Sequence, residues 1–136
     1  MTSIVVIQAR TSSSRLPAKV LLPLKGLPMV VLAAKRAGNT GKNLLVVTSS
    51  DASDDALCHL LSDFKIECYR GSLTNTLERF VNALAKLSDD TIVFRLTADN
   101  VFPDGCLINE LEEEFVKKKL KYLACNGEQS RLTYGM

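Results

Sequence analysis

The hydrophobic positions of the chain alternate between the period of buried strands and the period of amphipathic helices. Short apolar runs rich in β-branched residues predict strands over 3–9, 44–48 and 91–97, and an alternating run predicts another over 65–70. Helical stripes of apolar residues separate them. This β-α-β order predicts a mostly parallel sheet flanked by helices in three layers, which is an α/β fold.

Helix boundaries are marked by local residue choices. Pro28 and Gly38 suit the first turn and the end of a first helix, and the polar segment 50–55 suits the start of a second. Thr74 or Asn75 caps a third, whose apolar face we expect to consist of Leu77, Phe80, Val81, Leu84 and Ala85. A fourth helix is predicted over 105–119 after Asp104. A last apolar run, 122–125, is a candidate fifth strand.

Composition restricts the class of protein. The chain has 136 residues, 46% apolar content and a net charge of +2, as expected of one folded domain. Its apolar runs are too short to span a membrane, and the amino terminus does not resemble a signal peptide. The four cysteines are widely spaced, without a Cys-x-x-Cys pair, which favours reduced thiols and a cytoplasmic protein.

Charge is distributed unevenly. Residues 1–50 contain seven Lys and Arg residues and no Asp or Glu. A basic half of this kind favours an anionic ligand. The chain has no Trp and no basic stripe interleaved with aromatic residues, so a small phosphorylated ligand fits better than nucleic acid.

The loop after the first strand is the most informative segment. Three cations, Arg10, Arg15 and Lys19, stand there beside several hydroxyl residues, at the strand end where parallel sheets bind ligands. Such a loop can cradle phosphates, although a solvated loop with serine turns stays an alternative. The chain contains no G-x-G-x-x-G motif, which leaves a dinucleotide site without support.

Segment 9–19 resembles the A-R-x-x-S-x-R-L-P-x-K signature of cytidylyltransferases that make CMP-activated sugars. These include the CMP-KDO and CMP-acylneuraminate synthetases and the spore-coat polysaccharide cytidylyltransferases. The resemblance continues through 20–28, 69–72, 77–80 and 95–100. It implies a nucleotide-diphospho-sugar transferase-like fold, Rossmann-like and of GT-A type. It also implies that residues 1–136 are a single nucleotide-binding domain, the N-terminal part of a longer cytidylyltransferase domain.

The resemblance also implies roles for individual residues. The first loop would bind the triphosphate of CTP, with Arg10 and Lys19 as the catalytic contacts and Ala9, Ser14 and Arg15 as further contacts. Arg70, and more loosely Ser72, would lie near the cytosine or ribose. Asp99 would bind Mg²⁺, whereas the residues alone favour Asp99 or Asn100 as the cap of a turn before Pro103.

The implied activity is transfer of CMP from CTP to a sugar or sugar acid, with release of pyrophosphate, for surface polysaccharide biosynthesis. The implied cofactor is Mg²⁺. No nucleic acid or membrane partner is expected, and the full-length protein could form a homodimer. The alternative is a nucleotide-binding fragment that is catalytically incomplete.

Overall fold

The computed structural model describes residues 2–12 and 18–124. Within them, the strands and helices follow one another as β1 Ser3–Gln8, β2 Pro23–Leu24, β3 Leu27–Pro28, α1 Met29–Ala37, β4 Asn43–Ser49, α2 Asp55–Asp63, β5 Cys68–Gly71, α3 Thr76–Leu84, β6 Ile92–Thr97 and α4 Gly105–Lys117. Short 3₁₀ turns cover Lys19–Leu21 and Ala52–Asp54. This order confirms the predicted α/β fold.

Four strands form one parallel sheet in the order β5-β4-β1-β6. In the centre of the register, Val6 lies between Leu45 of β4 and Arg95 of β6. Strand β5 begins at Cys68, three residues later than predicted, because Lys65 adopts a left-handed turn with φ 58°. Residues 122–124, the described part of the candidate fifth strand, have no regular secondary structure.

The apolar core fills one face of this sheet. Val5 and Ile7 of β1 are fully buried against residues of the neighbouring strands and of α1, α2 and α4, among them Val31, Leu57 and Ile108. Because successive side chains of a strand point to opposite faces, alternate residues of β6 are buried while Val93 and Arg95 are exposed. The hydrophobic effect therefore fixes the register of the edge strand β6.

Helix α3 differs from its predicted orientation. Leu77 and Val81, expected in the core, are 74% and 58% exposed, whereas Arg79 is fully buried. The guanidinium of Arg79 donates to the backbone carbonyls of Ser72 (2.8 Å) and Leu73 (3.1 Å). These two bonds hold the side of the helix that carries Arg79 against the sheet, so Leu77 and Val81 face outward while Phe80 and Leu84 are half-buried.

The predicted side-chain caps of α3 and α4 are confirmed, whereas Asp54, which precedes α2, makes no side-chain cap bond. The Asn75 side chain accepts a hydrogen bond from the Glu78 amide at 3.0 Å, and Asp104 accepts one from the Leu107 amide at 2.9 Å. Pro28 and Gly38 flank α1 as expected. Among residues 2–12 and 18–124, no helix combines the length and the apolar content needed to cross a bilayer.

The strand order identifies where a ligand would bind. The chain moves outward from β1 to β4 and β5, and then returns to β6 on the other side of β1. In open parallel sheets, ligands bind beyond the carboxyl ends of the strands at the point where the order reverses. Here that point lies between β1 and β6, beside the loops that begin at Ala9 and Ala98.

Candidate functional site

The structure brings together two predicted site residues that are 80 positions apart. The Lys19 ammonium lies 3.1 Å from the Asp99 carboxylate, at the ends of the loop after β1 and of strand β6. Burial by itself would raise the pKa of Asp99, but hydrogen bonds from Thr97 and Lys19 outweigh it and hold the pKa below its ordinary value. Both side chains are more than one-third exposed, so the pair is accessible to a ligand.

Ala9 and Arg10 occupy the end of β1 beside this pair. The Ala9 amide donates to the carbonyl of Val47 at 3.1 Å, and the Ala98 amide donates to the carbonyl of Gln8 at 3.0 Å. These bonds extend the sheet by one residue and fix the backbone that leads into Arg10. Ala9 is buried and Arg10 is exposed. The other two predicted loop contacts, Ser14 and Arg15, lie outside the described residues.

A buried carboxylate that the sequence did not lead us to expect supports the beginning of this loop. Asp54, fully buried in the turn before α2, accepts a hydrogen bond from the Thr11 amide at 2.7 Å. From the sequence, residues 50–55 were expected only to cap a helix. The available signal was an Asp placed five residues after the end of a buried strand, in a turn that faces the same sheet edge.

Arg70 is held by the segment between β4 and α2. Its guanidinium donates to the carbonyls of Ser49 (2.9 Å) and Asp51 (2.8 Å) and to the Asp55 carboxylate (2.7 Å). The hydrogen bond to Asp55 raises the pKa of Arg70. The side chain is one-third exposed at the carboxyl end of β5. Its contact with a nucleotide stays a prediction.

Ser72 follows β5 in a turn that leads into α3. Its hydroxyl accepts a hydrogen bond from the Asn75 amide at 3.0 Å, and its carbonyl accepts one from Arg79. The described contacts of Ser72 are therefore those of a turn residue, and its role in binding stays a prediction.

Arg79 is the second residue whose position the sequence did not lead us to expect. Its Nη1 atom is buried without a hydrogen-bond partner. Burial lowers the pKa of Arg79, and the nearby positive charge of Arg10 lowers it further. The negative charge of Asp54 opposes both effects. No local signal in the sequence marks this burial, because Arg79 lies off the apolar stripe of α3 and beside Glu78.

The residues present suit a magnesium ion that arrives with a nucleotide. Within 2–12 and 18–124, no three His, Cys, Asp or Glu residues are grouped closely enough to hold a metal by themselves. Mg²⁺ commonly takes one or two carboxylates and completes its shell with phosphate oxygens and water. Asp99 offers such a carboxylate, and Arg36 fixes the turn beyond it by donating to the carbonyls of Val101 (2.6 Å) and Phe102 (3.1 Å).

Solved structures confirm the fold. A cytidylyltransferase from Leptospira borgpetersenii superposes with a TM-score of 0.76 at 23% identity, over 88% of this chain and 50% of that chain. CMP:2-keto-3-deoxy-manno-octonic acid synthetase, solved in complex with CTP, superposes with a TM-score of 0.69 at 23% identity, over 88% and 49%.

Comparisons of the amino-acid sequence also find similar proteins over most of this chain. An uncharacterized protein of Methanocaldococcus jannaschii is 34% identical over 126 residues, which are 91% of this chain and 51% of the relative. The spore coat polysaccharide biosynthesis protein SpsF of Bacillus subtilis is 35% identical over 112 residues, 76% of this chain and 45% of the relative. The chain spans about half the length of these relatives. The family model described as "Cytidylyltransferase" matches residues 4–132, and the chain therefore belongs to the cytidylyltransferase family.

Proposed function

We propose that the protein containing this chain transfers CMP from CTP to a sugar or sugar acid and releases pyrophosphate, for surface polysaccharide biosynthesis. The observation that carries the proposal is the Lys19–Asp99 pair at the point where the strand order reverses. An accessible cation and an accessible carboxylate side by side suit a magnesium-bound triphosphate. Membership of the cytidylyltransferase family supports CTP as the nucleotide.

In the proposed reaction, a hydroxyl oxygen of the sugar attacks the α-phosphorus of CTP. A new P–O bond forms, the bond between the α-phosphorus and the oxygen that bridges to the β-phosphate breaks, pyrophosphate leaves, and the hydroxyl proton passes to solvent. Arg10 and Lys19 would stabilise the negative charge on the phosphate oxygens. Mg²⁺ bound by Asp99 would supply further charge stabilisation on the phosphates.

Positioning would provide most of the catalysis. The single histidine of the chain, His59, is exposed on α2 and does not suit a general base. Holding the sugar hydroxyl in line with the α-phosphorus converts a bimolecular step into an effectively unimolecular one. Phosphoryl-type transfers are expected to depend on positioning and electrostatic stabilisation in this way.

The ion pair would exchange partners when a nucleotide binds. The Lys19 ammonium would turn from Asp99 to a phosphate, and the Asp99 carboxylate would turn to the magnesium ion of the nucleotide. An exposed ion pair is worth about 0–1 kcal/mol, so its separation costs little compared with the new charge-assisted bonds to phosphate and metal.

The decisive experiment compares Lys19→Ala with Lys35→Ala, which removes an exposed lysine on α1. We expect Lys19→Ala to weaken CTP binding by about 1.5–3 kcal/mol and CMP binding much less, because the lost contact is to the β- and γ-phosphates. Isothermal titration with both nucleotides gives the two values. Equal losses for CTP and CMP would place the triphosphate elsewhere, whereas Lys35→Ala should bind both normally.

A second candidate is a nucleotide-binding fragment that is catalytically incomplete. It is favoured by the coverage, since the chain spans about half the length of its relatives. Pyrophosphate release with Mg²⁺, CTP and a panel of sugars would distinguish the two candidates. Release at the rate of a full-length relative would favour the enzyme, whereas CTP binding without turnover would favour the fragment.

We infer a cytoplasmic location for the reaction. Three of the four cysteines lie in the described residues, and all three, Cys58, Cys68 and Cys106, are free thiols. Free thiols suit a reducing compartment. A homodimer of the full-length protein stays a prediction.

A further inference from the structure

The buried polar side chains of the described residues are gathered in one place. Five of them form what we call the buried polar cluster: Thr11, Thr48, Ser49, Asp54 and Arg79. They lie around the carboxyl ends of β1, β4 and β5. Burying polar groups is costly unless they are paired, so a core built for stability alone has little use for such a cluster.

Asp54 is the centre of this cluster. One carboxylate oxygen lies 2.7 Å from the Thr11 amide and 2.9 Å from the Thr11 hydroxyl, and the other oxygen accepts a hydrogen bond from Ser49. The Thr11 hydroxyl also lies 2.5 Å from the carbonyl of Ser53, so its single proton is shared between two acceptors. These contacts join the first loop to a turn 43 residues later in the chain.

The cluster also balances charge. Burial by itself would raise the pKa of Asp54, but its hydrogen bonds from Ser49 and Thr11 lower that pKa below the ordinary value. Asp54 is therefore ionised at neutral pH. Its negative charge offsets the repulsion between the buried guanidinium of Arg79 and the exposed guanidinium of Arg10.

We propose that Asp54 is a positioning residue of the nucleotide site, which holds Thr11 so that the neighbouring Arg10 side chain is presented to the triphosphate. The inference rests on the proposed function. It deepens that function by naming the group that orders the phosphate loop from behind. Asp54, being fully buried, acts through Thr11 and Arg10 and does not contact the nucleotide.

The experiment measures binding of CTP and of cytidine to the purified chain and its variants. We expect Asp54→Asn and Thr11→Val to weaken CTP binding at least about tenfold, while cytidine binding changes less than about twofold. Thr11→Ser keeps the hydroxyl and should restore binding. Ser53→Ala is the matched control, because its exposed hydroxyl bonds Asp51 and not the loop.

A second readout is independent of any nucleotide. Trypsin should cleave after Arg10 faster in Asp54→Asn and Thr11→Val than in Ser53→Ala at equal folded fraction, because the anchor of Thr11 on Asp54 is weakened in both. Thr11→Val keeps Asp54 ionised and paired with Ser49, so it provides a milder test if Asp54→Asn does not fold.

Three outcomes would overturn the inference. In the first, wild type binds CTP and both variants bind it equally well, which leaves the proposed function standing. In the second, CTP and cytidine weaken in parallel, which assigns Asp54 a purely structural role. In the third, wild type binds no CTP, and the proposed function fails together with the inference even if trypsin cleavage changes as expected.

Discussion

Two aspartates at the same edge of the sheet differ in almost every physical respect. Asp54 is fully buried and receives hydrogen bonds from the Thr11 amide and the Ser49 hydroxyl. Asp99 has a side chain that is 47% exposed, and its described ion-pair partner is the ammonium at the end of a long lysine side chain. Both carboxylates have lowered pKa values, one through buried hydrogen bonds and the other through Thr97 and Lys19.

The difference shows how to tell a carboxylate that stabilises the fold from one that can bind a ligand. A carboxylate whose oxygens are occupied by buried donors cannot accept a metal without breaking the fold. A carboxylate beside an exposed lysine can exchange that partner at small cost. Four measurements test this contrast.

The largest expected effect is on stability. Asp54→Asn should lower the free energy of unfolding by about 3 kcal/mol. The Asn amide has an NH₂ group in place of one carboxylate oxygen, so one set of buried donors loses its acceptor. Asp99→Asn should lower it by less than about 1 kcal/mol, since its site is exposed. Urea denaturation of both variants measures the difference, and equal losses would remove the distinction between them.

The next effect concerns magnesium. Asp99→Asn should make CTP binding insensitive to Mg²⁺, because the amide lacks the charge that the ion requires. We expect the enhancement of CTP binding by Mg²⁺ to fall by about tenfold or more, or ~1.4 kcal/mol. Titration with CTP in Mg²⁺ and in EDTA provides the measurement. A variant that keeps the full magnesium effect would show that Asp99 is only a turn residue.

A third effect appears at acid pH. Because the pKa of Asp54 is lower in the folded state, the unfolded state takes up a proton first as pH falls. The stability that Asp54 contributes is therefore complete above the ordinary Asp pKa and is lost as pH falls through the lower folded pKa. Asp54→Asn should flatten the fall in unfolding free energy below about pH 4. If the unfolding free energy of Asp54→Asn falls with acid as steeply as that of wild type, the ionised, hydrogen-bonded state of Asp54 is contradicted.

The smallest effect is the strength of the Lys19–Asp99 pair itself. A double-mutant cycle of Lys19→Met and Asp99→Asn should give a coupling of at most about 1 kcal/mol in unfolding free energy, decreasing with added salt. Urea denaturation at low and high ionic strength measures it. A coupling of several kcal/mol would mean that the pair is structural and does not separate for a ligand.

Helix α3 illustrates where reasoning from periodicity fails. Its Asn75 cap follows from local residue choices and was predicted. Its orientation was not, since Leu77 and Val81 of the apolar stripe face outward and Arg79 faces inward. Periodicity identifies the two faces of a helix, but hydrogen bonds from Arg79 to the preceding turn decided which face is buried.

The sequence by itself determined the α/β order, the four parallel strands and the strand ends at which a site would lie. These follow from short-range patterns, because burial period, capping and loop composition act over a few residues. Only the tertiary structure decided that Lys19 meets Asp99 and that Thr11 is anchored on Asp54. Those contacts join residues 80 and 43 positions apart, and they exist because parallel strands bring the loops at their carboxyl ends to a single edge.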